Sequence, residues 1–196
     1  MIKRLFDIIS ALLGLVLLSP LLLVIALAIG VKDGAPILFK QTRIGRQGDP
    51  FTLYKFRTMR PDSESSGQLS VGERDPRVTD IGHALRKTKL DELPQLWNVL
   101  KGDMSVVGPR PEVPRYVDLY SEKERKVLQV RPGITDAASL AYFNESEMMA
   151  EHPDPERYYI ETIMKDKLQR NLDYLEKRTF WSDMGIIFKT ISRIFQ

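Results

Sequence analysis

The sequence predicts an α+β protein that is mainly helical, with a membrane helix at its N-terminus. Three observations lead to this fold class. An uncharged apolar run extends from Ile8 to Val31, short aromatic-rich segments between residues 35 and 60 are separated by turn residues, and a helical pattern starts at Gly82. We therefore expect two parts: a membrane helix over residues 1–31 and a separate domain over residues 32–196.

Composition excludes several classes of site. The chain has 196 residues and no cysteine, so neither a disulfide framework nor a thiolate zinc site is possible. It has two histidines, His83 and His152, which argues against a histidine-rich metal site. The net charge is +3 and the basic residues are spread along the chain, so we expect no nucleic-acid partner.

The apolar run is long enough for a bilayer span, which needs about 20 residues. A cleaved signal peptide would explain Lys3, Arg4 and the Ala-Leu-Ala at residues 26–28, although the run is long for one. A straight transmembrane helix is the second interpretation. Ser19-Pro20 lies in the middle of the run, and proline removes a helix hydrogen bond, so we expect a kink there.

A re-entrant hairpin is the third interpretation, and the flanking charges slightly favour it. Basic residues lie on both sides of the run, and positive charge prefers the cytoplasmic side. A helix that enters one leaflet and returns keeps both flanks on that side, with arms that each reach about 18 Å. Asp7 lies at the membrane boundary, where it could pair with Lys3 or Arg4.

The next segments read as a small β-hairpin, a loop and a helix. PILF and PFTLYKF are apolar runs around a turn that contains Gly45, Gly48 and Pro50. Residues 60–77 are polar and rich in serine and glycine, which predicts a mobile loop or lid. The helical pattern from Gly82 is interrupted near two acids and is closed by Gly102.

The second half is predicted to be helical apart from turns. Ser121 and Glu124 have the spacing of a capping box, RPGIT at residues 131–135 suggests a turn, and Asp154-Pro155 should open a long helix towards Lys177. The last segment, FWSDMGIIFKTISRIF, carries an apolar stripe with Trp181 on it. It is either a core helix or an amphipathic helix on the membrane surface.

Two adjacent acids, Asp91 and Glu92, carry the chemistry that stands out most. Pro94 follows them, and proline is tolerated only in a first helical turn, so a helix should begin at or just before the acids. One interpretation is that they only cap that helix and offset its dipole. The other is that a carboxylate attacks phosphorus while its neighbour holds Mg²⁺.

The basic residues nearby favour the second interpretation. Arg86 precedes the acids by about one turn, and Arg110 lies between Pro109 and a second proline, which would hold its planar guanidinium still for phosphate oxygens. Lys55 and Arg57 end an apolar strand, where they could bind substrate or brace the fold. These residues together indicate a membrane-attached, Mg²⁺-dependent phosphoryl-transfer enzyme.

The chain resembles the bacterial sugar transferases, specifically the small monotopic phosphoglycosyl transferases. The resemblance starts with KRLFDIISALLGLVLLSPLLL and continues through FKQTRIGRQGDPFTLYKFRTM, DPRVTDIGHALRKTKLDELPQLWNVLKGDMSVVGPRP and RPGIT. It covers nearly the whole chain, and several long motifs occur in the right order, which makes the match specific.

The resemblance implies a reaction and roles for residues. Such enzymes transfer a phosphosugar from a UDP-sugar to undecaprenyl phosphate and release UMP. Asp91 would be the nucleophile that forms a covalent phosphosugar intermediate, and Glu92 would bind Mg²⁺. Arg86 and Arg110 would contact the nucleotide diphosphate, and Ser19-Pro20 would break a re-entrant helix. The expected substrate-binding set is Lys55, Arg57, Arg86, Pro109 and Arg110.

The resemblance also implies a location, the cytoplasmic face of the bacterial inner membrane, with residues 32–196 as the domain on that face. Larger relatives carry an extra membrane domain, so we expect this chain to be the bare catalytic unit. One segment departs from the pattern: after RPGIT many members carry Gly-x-Ala-Gln, whereas this chain has Asp136-Ala-Ala-Ser139. The change could mark a different donor sugar or be neutral. Two other functions remain open, a membrane-bound UDP-sugar-binding scaffold and a glycosyltransferase that releases UDP.

Overall fold

The computed structural model describes residues 2–61, 63, 69–72 and 75–194. It is α+β and mainly helical, as expected. Helix α1 (Ile2–Leu17) and helix α2 (Ser19–Lys32) form a pair bent by 61°. Among the described residues no single helix is long and apolar enough to cross a membrane, whereas this bent pair meets the length and composition together. The Ser19 hydroxyl donates to the Val16 carbonyl at 2.8 Å beside the break.

Each arm of the bent pair buries one narrow face and leaves the rest exposed. Ala11 of α1 and Ile25 and Ile29 of α2 are buried against the body of the protein. The exposed apolar side chains of the pair are Ile2, Leu5, Ile8, Ile9, Leu12, Leu13, Val16, Leu17, Leu21, Leu23, Val24, Leu27 and Val31. This surface is far more apolar than a water-facing helix pair requires.

Asp7 does not pair with Lys3 or Arg4, so that expectation was wrong. It is buried, and its Oδ1 accepts from the Ser105 hydroxyl and the Val106 amide, both at 3.0 Å. Lys3 donates instead to Asp183, and Arg4 donates to the carbonyls of residues 99 and 100. The polar side chains of α1 therefore bond to residues that are distant in sequence.

The predicted β-hairpin is confirmed. Strands β1 (Leu38–Ile44) and β2 (Pro50–Phe56) pair antiparallel, with Leu38 opposite Phe56 and Ile44 opposite Pro50. A short 3₁₀ turn, Arg46–Gly48, joins them, with Gly48 at φ 87°. The predicted mobile loop at residues 60–77 lies partly outside the described residues. Within its described part, the Arg77 guanidinium bonds to Asp75.

The helical pattern from residue 80 divides into three pieces. Helix α3 (Asp80–Lys87) is followed by a 3₁₀ turn, Leu90–Glu92, and by helix α4 (Gln95–Lys101), which Gly102 ends at φ 98°. Helix α3 lies directly on the end of β2: a Cβ at Gly82 would be 2.1 Å from the Thr58 carbonyl oxygen. This position therefore needs glycine.

RPGIT forms a strand rather than the predicted turn. Strand β4 (Gly133–Thr135) pairs parallel with strand β3 (Ser105–Val107). Proline and glycine are typical of turns, which is why a turn was predicted. Here the glycine instead allows two backbones to approach closely, because a Cβ at Gly133 would be 2.1 Å from the Gly108 nitrogen. Between these strands lie helix α5 (Pro114–Val117) and a 3₁₀ segment, Glu124–Gln129. The capping box is confirmed: Glu124 accepts from the Ser121 amide at 2.7 Å.

The remaining helices build the largest core and the C-terminal surface. They are α6 (Ala137–Ala141), α7 (Glu145–Ala150), α8 (Pro155–Tyr158), a π-helical turn (Tyr159–Ile163), α9 (Met164–Lys177) and α10 (Phe180–Ile194). Asp154 caps α8 as predicted. In α10, Asp183 and Ile186 are buried, whereas Trp181 and Phe188 are exposed. This helix is therefore not a core helix.

Candidate active site

The two acids lie on the 3₁₀ turn Leu90–Glu92, where Lys89 adopts a left-handed conformation at φ 55° just before them. A non-glycine residue rarely takes this conformation, and such strain is concentrated at functional sites. Asp91 and Glu92 are only 6% and 9% exposed. Neither caps a helix, because no side-chain capping bond opens the 3₁₀ turn or α4. The acids therefore make no capping bond, although both lie in the first turn of the 3₁₀ segment, where they can offset its dipole.

Glu92 is held by two cations that come from different parts of the chain. Lys55 of β2 donates to its Oε1 at 2.9 Å, and Arg110, which follows β3, donates through Nη1 to Oε2 at 3.1 Å and through Nη2 to Oε1. Burial alone would raise the pKa of Glu92, but Arg110 and Lys55 outweigh it and hold the pKa well below its usual range. Glu92 is therefore ionised at neutral pH.

Asp91 has the opposite environment although it is the adjacent residue. Burial raises the pKa of its carboxyl, an effect that Lys55 opposes and that the neighbouring charge of Glu92 reinforces. Its Oδ1 is buried and accepts no hydrogen bond from the described residues. An oxygen that accepts no hydrogen bond is the more reactive one towards phosphorus.

Arg86 and Lys55 complete the cationic surroundings of Asp91. Arg86 of α3 donates from Nε to the Thr58 hydroxyl at 2.9 Å and from Nη1 to the Ser70 hydroxyl at 2.8 Å. Burial lowers the pKa of Arg86 and also that of Lys55, which Glu92 partly offsets. Both cations are thus poorly hydrated, and poorly hydrated cations attract phosphate more strongly than exposed ones.

All of these side chains face one cavity of about 1680 Å³. Its wall includes Lys55, Arg57, Arg86, Asp91, Glu92 and Arg110. Ligand pockets commonly have about 300–1,000 Å³, so this cavity has room for a nucleotide-sugar together with a second substrate. Of the expected substrate-binding residues, Pro109 is not brought to this wall. It borders a separate cavity of about 30 Å³ behind Arg110, and its carbonyl accepts from the Gly133 amide at 3.0 Å.

Arg57 partly braces the fold. Its Nη2 donates to the carbonyls of Asp33 and Gly34, at 2.6 and 2.8 Å, where the chain leaves α2. Asp136 has a structural role: it is fully buried and caps α6 by accepting from the Ala138 and Ser139 amides. It does not line the cavity, whereas Ser139 does. Where the common pattern has glycine, this chain thus has an aspartate that caps a helix.

The acids fit Mg²⁺ in the type and number of their oxygens. In phosphoryl-transfer sites Mg²⁺ is bound by one or two carboxylates, with waters and substrate phosphates as its other ligands. Asp91 Oδ1 accepts no bond and Glu92 Oε2 accepts one, so each oxygen has a lone pair for a metal. Within the described ranges no group of three or more His, Asp or Glu side chains converges, so substrate phosphates would have to complete the ligand shell.

Comparison with known proteins identifies the family. The whole chain, residues 1–196, matches the bacterial sugar transferase family. The chain belongs to this family. The sugar transferase is 38% identical over 193 residues to the uncharacterized sugar transferase EpsL of Bacillus subtilis (strain 168), which covers 98% of this chain and 87% of the relative.

Two further relatives carry a named activity. Over 194 residues the sugar transferase is 38% identical to the UDP-glucose:undecaprenyl-phosphate glucose-1-phosphate transferase of Caulobacter vibrioides, covering 96% of this chain and 68% of the relative. An enzyme of the same name from Escherichia coli (strain K12) is 35% identical over 199 residues, covering 100% of this chain and 40% of the relative. The sugar transferase thus spans about two-fifths of the length of that longer protein.

Sequence reasoning missed Gln95 of this transferase. It is 1% exposed and its Nε2 has no hydrogen-bond partner among the described residues. It follows Asp91 by four residues and begins α4, and it does not line the cavity. The spacing was visible in the sequence, but a polar residue in an apolar helical pattern gave no sign that it would be buried.

Proposed function

We propose that this sugar transferase moves a phosphosugar from a UDP-sugar to undecaprenyl phosphate, releases UMP and forms an undecaprenyl diphosphosugar. Relatives named for this chemistry, with different sugars, support the two substrates. The observation that carries the proposal is the pair of carboxylates in one cavity, one unbonded and one neutralised by two cations. A scaffold that only binds nucleotide-sugar needs no such asymmetry.

The first step uses Asp91 as the nucleophile. One of its oxygens attacks the sugar-bearing phosphorus, the bond from that phosphorus to the bridging oxygen breaks, and the electron pair leaves on UMP. In the second step an oxygen of undecaprenyl phosphate attacks the same phosphorus, and the bond to Asp91 breaks to restore the carboxylate. The raised pKa of Asp91 suits the first step, because a poorly solvated carboxylate is a better nucleophile.

The cations of the site stabilise the charge that these steps redistribute. Arg110 and Lys55 are preorganised by Glu92, and Arg86 is preorganised by Thr58 and Ser70, so little reorganisation is needed when a diphosphate binds. Mg²⁺ held by Glu92, with Asp91 beside it, would neutralise charge on the diphosphate and on the departing UMP. Glu92 therefore acts on the leaving group while Asp91 acts on phosphorus.

The bent pair of α1 and α2 would place this site at bilayer height. We propose that it is a re-entrant hairpin kinked at Ser19-Pro20, because each arm is about half a bilayer long and its exposed surface is apolar. Helix α10 would lie in the interface with Trp181 and Phe188 towards lipid. This makes the protein monotopic on the cytoplasmic face of the bacterial inner membrane, with the catalytic domain over residues 32–196.

Nucleotide release tests the proposal directly. Purified enzyme is incubated with Mg²⁺, undecaprenyl phosphate and a panel of UDP-sugars, beside the Asp91→Asn variant. We expect UMP from a preferred donor, abolished in the variant. Release of UDP would show a glycosyltransferase, the absence of any nucleotide product would favour a binding scaffold, and UMP that persists in Asp91→Asn would rule out this nucleophile.

A further inference from the structure

Arg57 is an unusual buried cation. Its side chain is 5% exposed, and only Nη2 has partners, the carbonyls of Asp33 and Gly34. Its Nε and Nη1 are buried and bond to none of the described residues. Arginine stays charged in proteins, so this side chain brings a full positive charge and unused donors into the interior.

Such a group is rarely left without a partner. Nearly all buried donors in native proteins are hydrogen-bonded, and a buried charge is normally paired. The nearest carboxylate in sequence to the bound carbonyls, Asp33, instead accepts from the Thr79 hydroxyl at 2.7 Å. No ion pair joins Arg57 to any acid in the part of the chain that the structure describes. The unused donors therefore indicate an anionic ligand.

The position of Arg57 indicates which anion. It lines the same cavity as Asp91, but its anchor is the segment that follows α2, and Pro36, Phe39 and Phe56 belong to the same wall. The cavity is thus apolar near this charge and close to the end of the membrane hairpin. In contrast, Lys55, Arg86 and Arg110 are bonded to Glu92, Thr58 and Ser70 around the acids.

We propose that Arg57 binds the phosphate of the lipid acceptor, while Lys55, Arg86 and Arg110 bind the donor diphosphate. This assignment rests on the proposed function and divides its two substrates between two sets of cations. Arg57 would donate charge-assisted hydrogen bonds to the acceptor phosphate and hold it as an anion within the cavity. The acceptor oxygen then attacks phosphorus on Asp91 without a general base, because a phosphate oxygen is already ionised at neutral pH.

The two half-reactions separate the two sets of cations. UMP formed per enzyme without acceptor reports the donor step, and loss of the labelled phosphosugar from the enzyme on addition of undecaprenyl phosphate reports the acceptor step. The test variant is Arg57→Lys, which keeps the positive charge but replaces the planar guanidinium and its five donors by a shorter ammonium with three. We expect it to slow the acceptor step at least tenfold more than the donor step and to raise the KM for undecaprenyl phosphate.

The matched control is Arg86→Lys, for which we expect the donor step to suffer more. If Arg57→Lys instead slows UMP formation more, Arg57 binds the donor and the inference is wrong. If Arg57→Lys matches wild type in both steps, the unbonded donors of the wild-type guanidinium bind water rather than a substrate phosphate, and the inference is equally wrong. A wild-type enzyme that forms no UMP without acceptor, yet turns over with both substrates, contradicts the covalent mechanism rather than the Arg57 assignment.

A binding measurement tests Arg57 independently of turnover and of the variant's folding. Hydrogen–deuterium exchange of the wild-type protein is followed at residues 33–37, the segment to which Arg57 is bonded, with undecaprenyl phosphate, UDP or inorganic phosphate. We expect undecaprenyl phosphate to slow exchange there by more than threefold, with UDP giving little protection. Protection by UDP alone, or by none of the three probes, overturns the assignment.

Discussion

Asp91 and Glu92 are neighbours in the chain but occupy opposite environments. Glu92 accepts from Arg110 and Lys55 and has a depressed pKa, whereas Asp91 has an unbonded oxygen and a pKa raised by burial. Both side chains line the same cavity, but Lys55 and Arg110 donate to Glu92 and leave Asp91 Oδ1 unbonded. The surrounding elements, β2 and the segment after β3, therefore give two chemically similar residues different roles.

The largest effect should come from Asp91→Asn, which separates activity from stability. We expect activity to be lost while the folded protein becomes more stable at neutral pH, by about 1 kcal/mol. The folded pKa of Asp91 is raised, so its stabilising contribution is complete below about pH 3.9 and is lost as pH rises through the folded pKa. Urea unfolding in detergent at pH 7 and pH 4 measures this.

The gain from Asp91→Asn should shrink towards pH 4, because the wild-type carboxyl is then protonated in the folded state. A variant that is less stable than wild type at pH 7 would show that the Asp91 carboxylate has a stabilising partner. It would also remove the contrast with Glu92.

Glu92→Gln should lower the free energy of unfolding, the opposite of the effect expected for Asp91→Asn. It leaves the charges of Arg110 and Lys55 unmatched, which we expect to cost about 3–5 kcal/mol at pH 7 and to lower kcat about 10²–10³-fold. The folded pKa of Glu92 is depressed, so its stabilising contribution is present above about pH 4.3 and is lost as pH falls through the folded pKa. Unfolding and UMP release measure the two effects.

The matched control for Glu92→Gln is Glu161→Gln, which breaks an exposed pair with Arg157 on the helical surface. We expect that change to alter stability by less than about 0.5 kcal/mol. Equal losses in the two variants would mean that the cations around Glu92 are solvated, and the comparison with Asp91 would then have no basis.

Gly82→Ala tests the packing that supports both acids. The added Cβ would be 2.1 Å from the Thr58 carbonyl, so α3 must move away from the end of β2. We expect a loss of about 1–3 kcal/mol or more, with a lower thermal midpoint. Gly185→Ala is the control, because nothing lies within 4 Å of its Cβ, and it should gain up to about 1 kcal/mol from helix propensity. A neutral Gly82→Ala would contradict the close packing.

Trp181→Ala should have the smallest effect on the folded protein. Trp181 is 79% exposed, so we expect a change in stability within about 0.5 kcal/mol. Binding to liposomes that contain anionic lipid should nevertheless weaken, measured by cosedimentation beside Glu176→Gln as an exposed polar control. Unchanged binding would show that α10 does not lie on the membrane surface. The α1–α2 pair alone would then have to orient the turn that carries the acids.

Local features of the fold could be predicted from the sequence. The bend at Ser19-Pro20, the hairpin, the capping box at Ser121 and the end of α4 at Gly102 depend on residues within a few positions of one another. The acids and most of the cations were also found, because their residue types suit phosphate. What these residues bond to was not predictable from spacing.

Two wrong expectations concern contacts that are distant in sequence. Asp7 bonds to Ser105, which is 98 residues away, and no local pattern can select that partner over Lys3 or Arg4. RPGIT was taken as a turn because its strand exists only through pairing with β3. The arrangement in which Lys55 and Arg110 share Glu92 spans three separate elements, so only the assembled fold determines it.

The bonds of Asp7 and Lys3 have a consequence for how the protein is made. Helix α1 carries two polar side chains whose partners, Ser105 and Asp183, are synthesised much later than the helix itself. The α1–α2 pair therefore cannot form these bonds until the later residues are made. Under the proposed membrane insertion, lipid would cover its exposed apolar side chains until then. Removing the hairpin to obtain a water-soluble fragment would strip Ala11, Ile25 and Ile29 from two clusters of the core. Under the proposed membrane insertion, the α1–α2 pair would enter the bilayer before the active site is assembled.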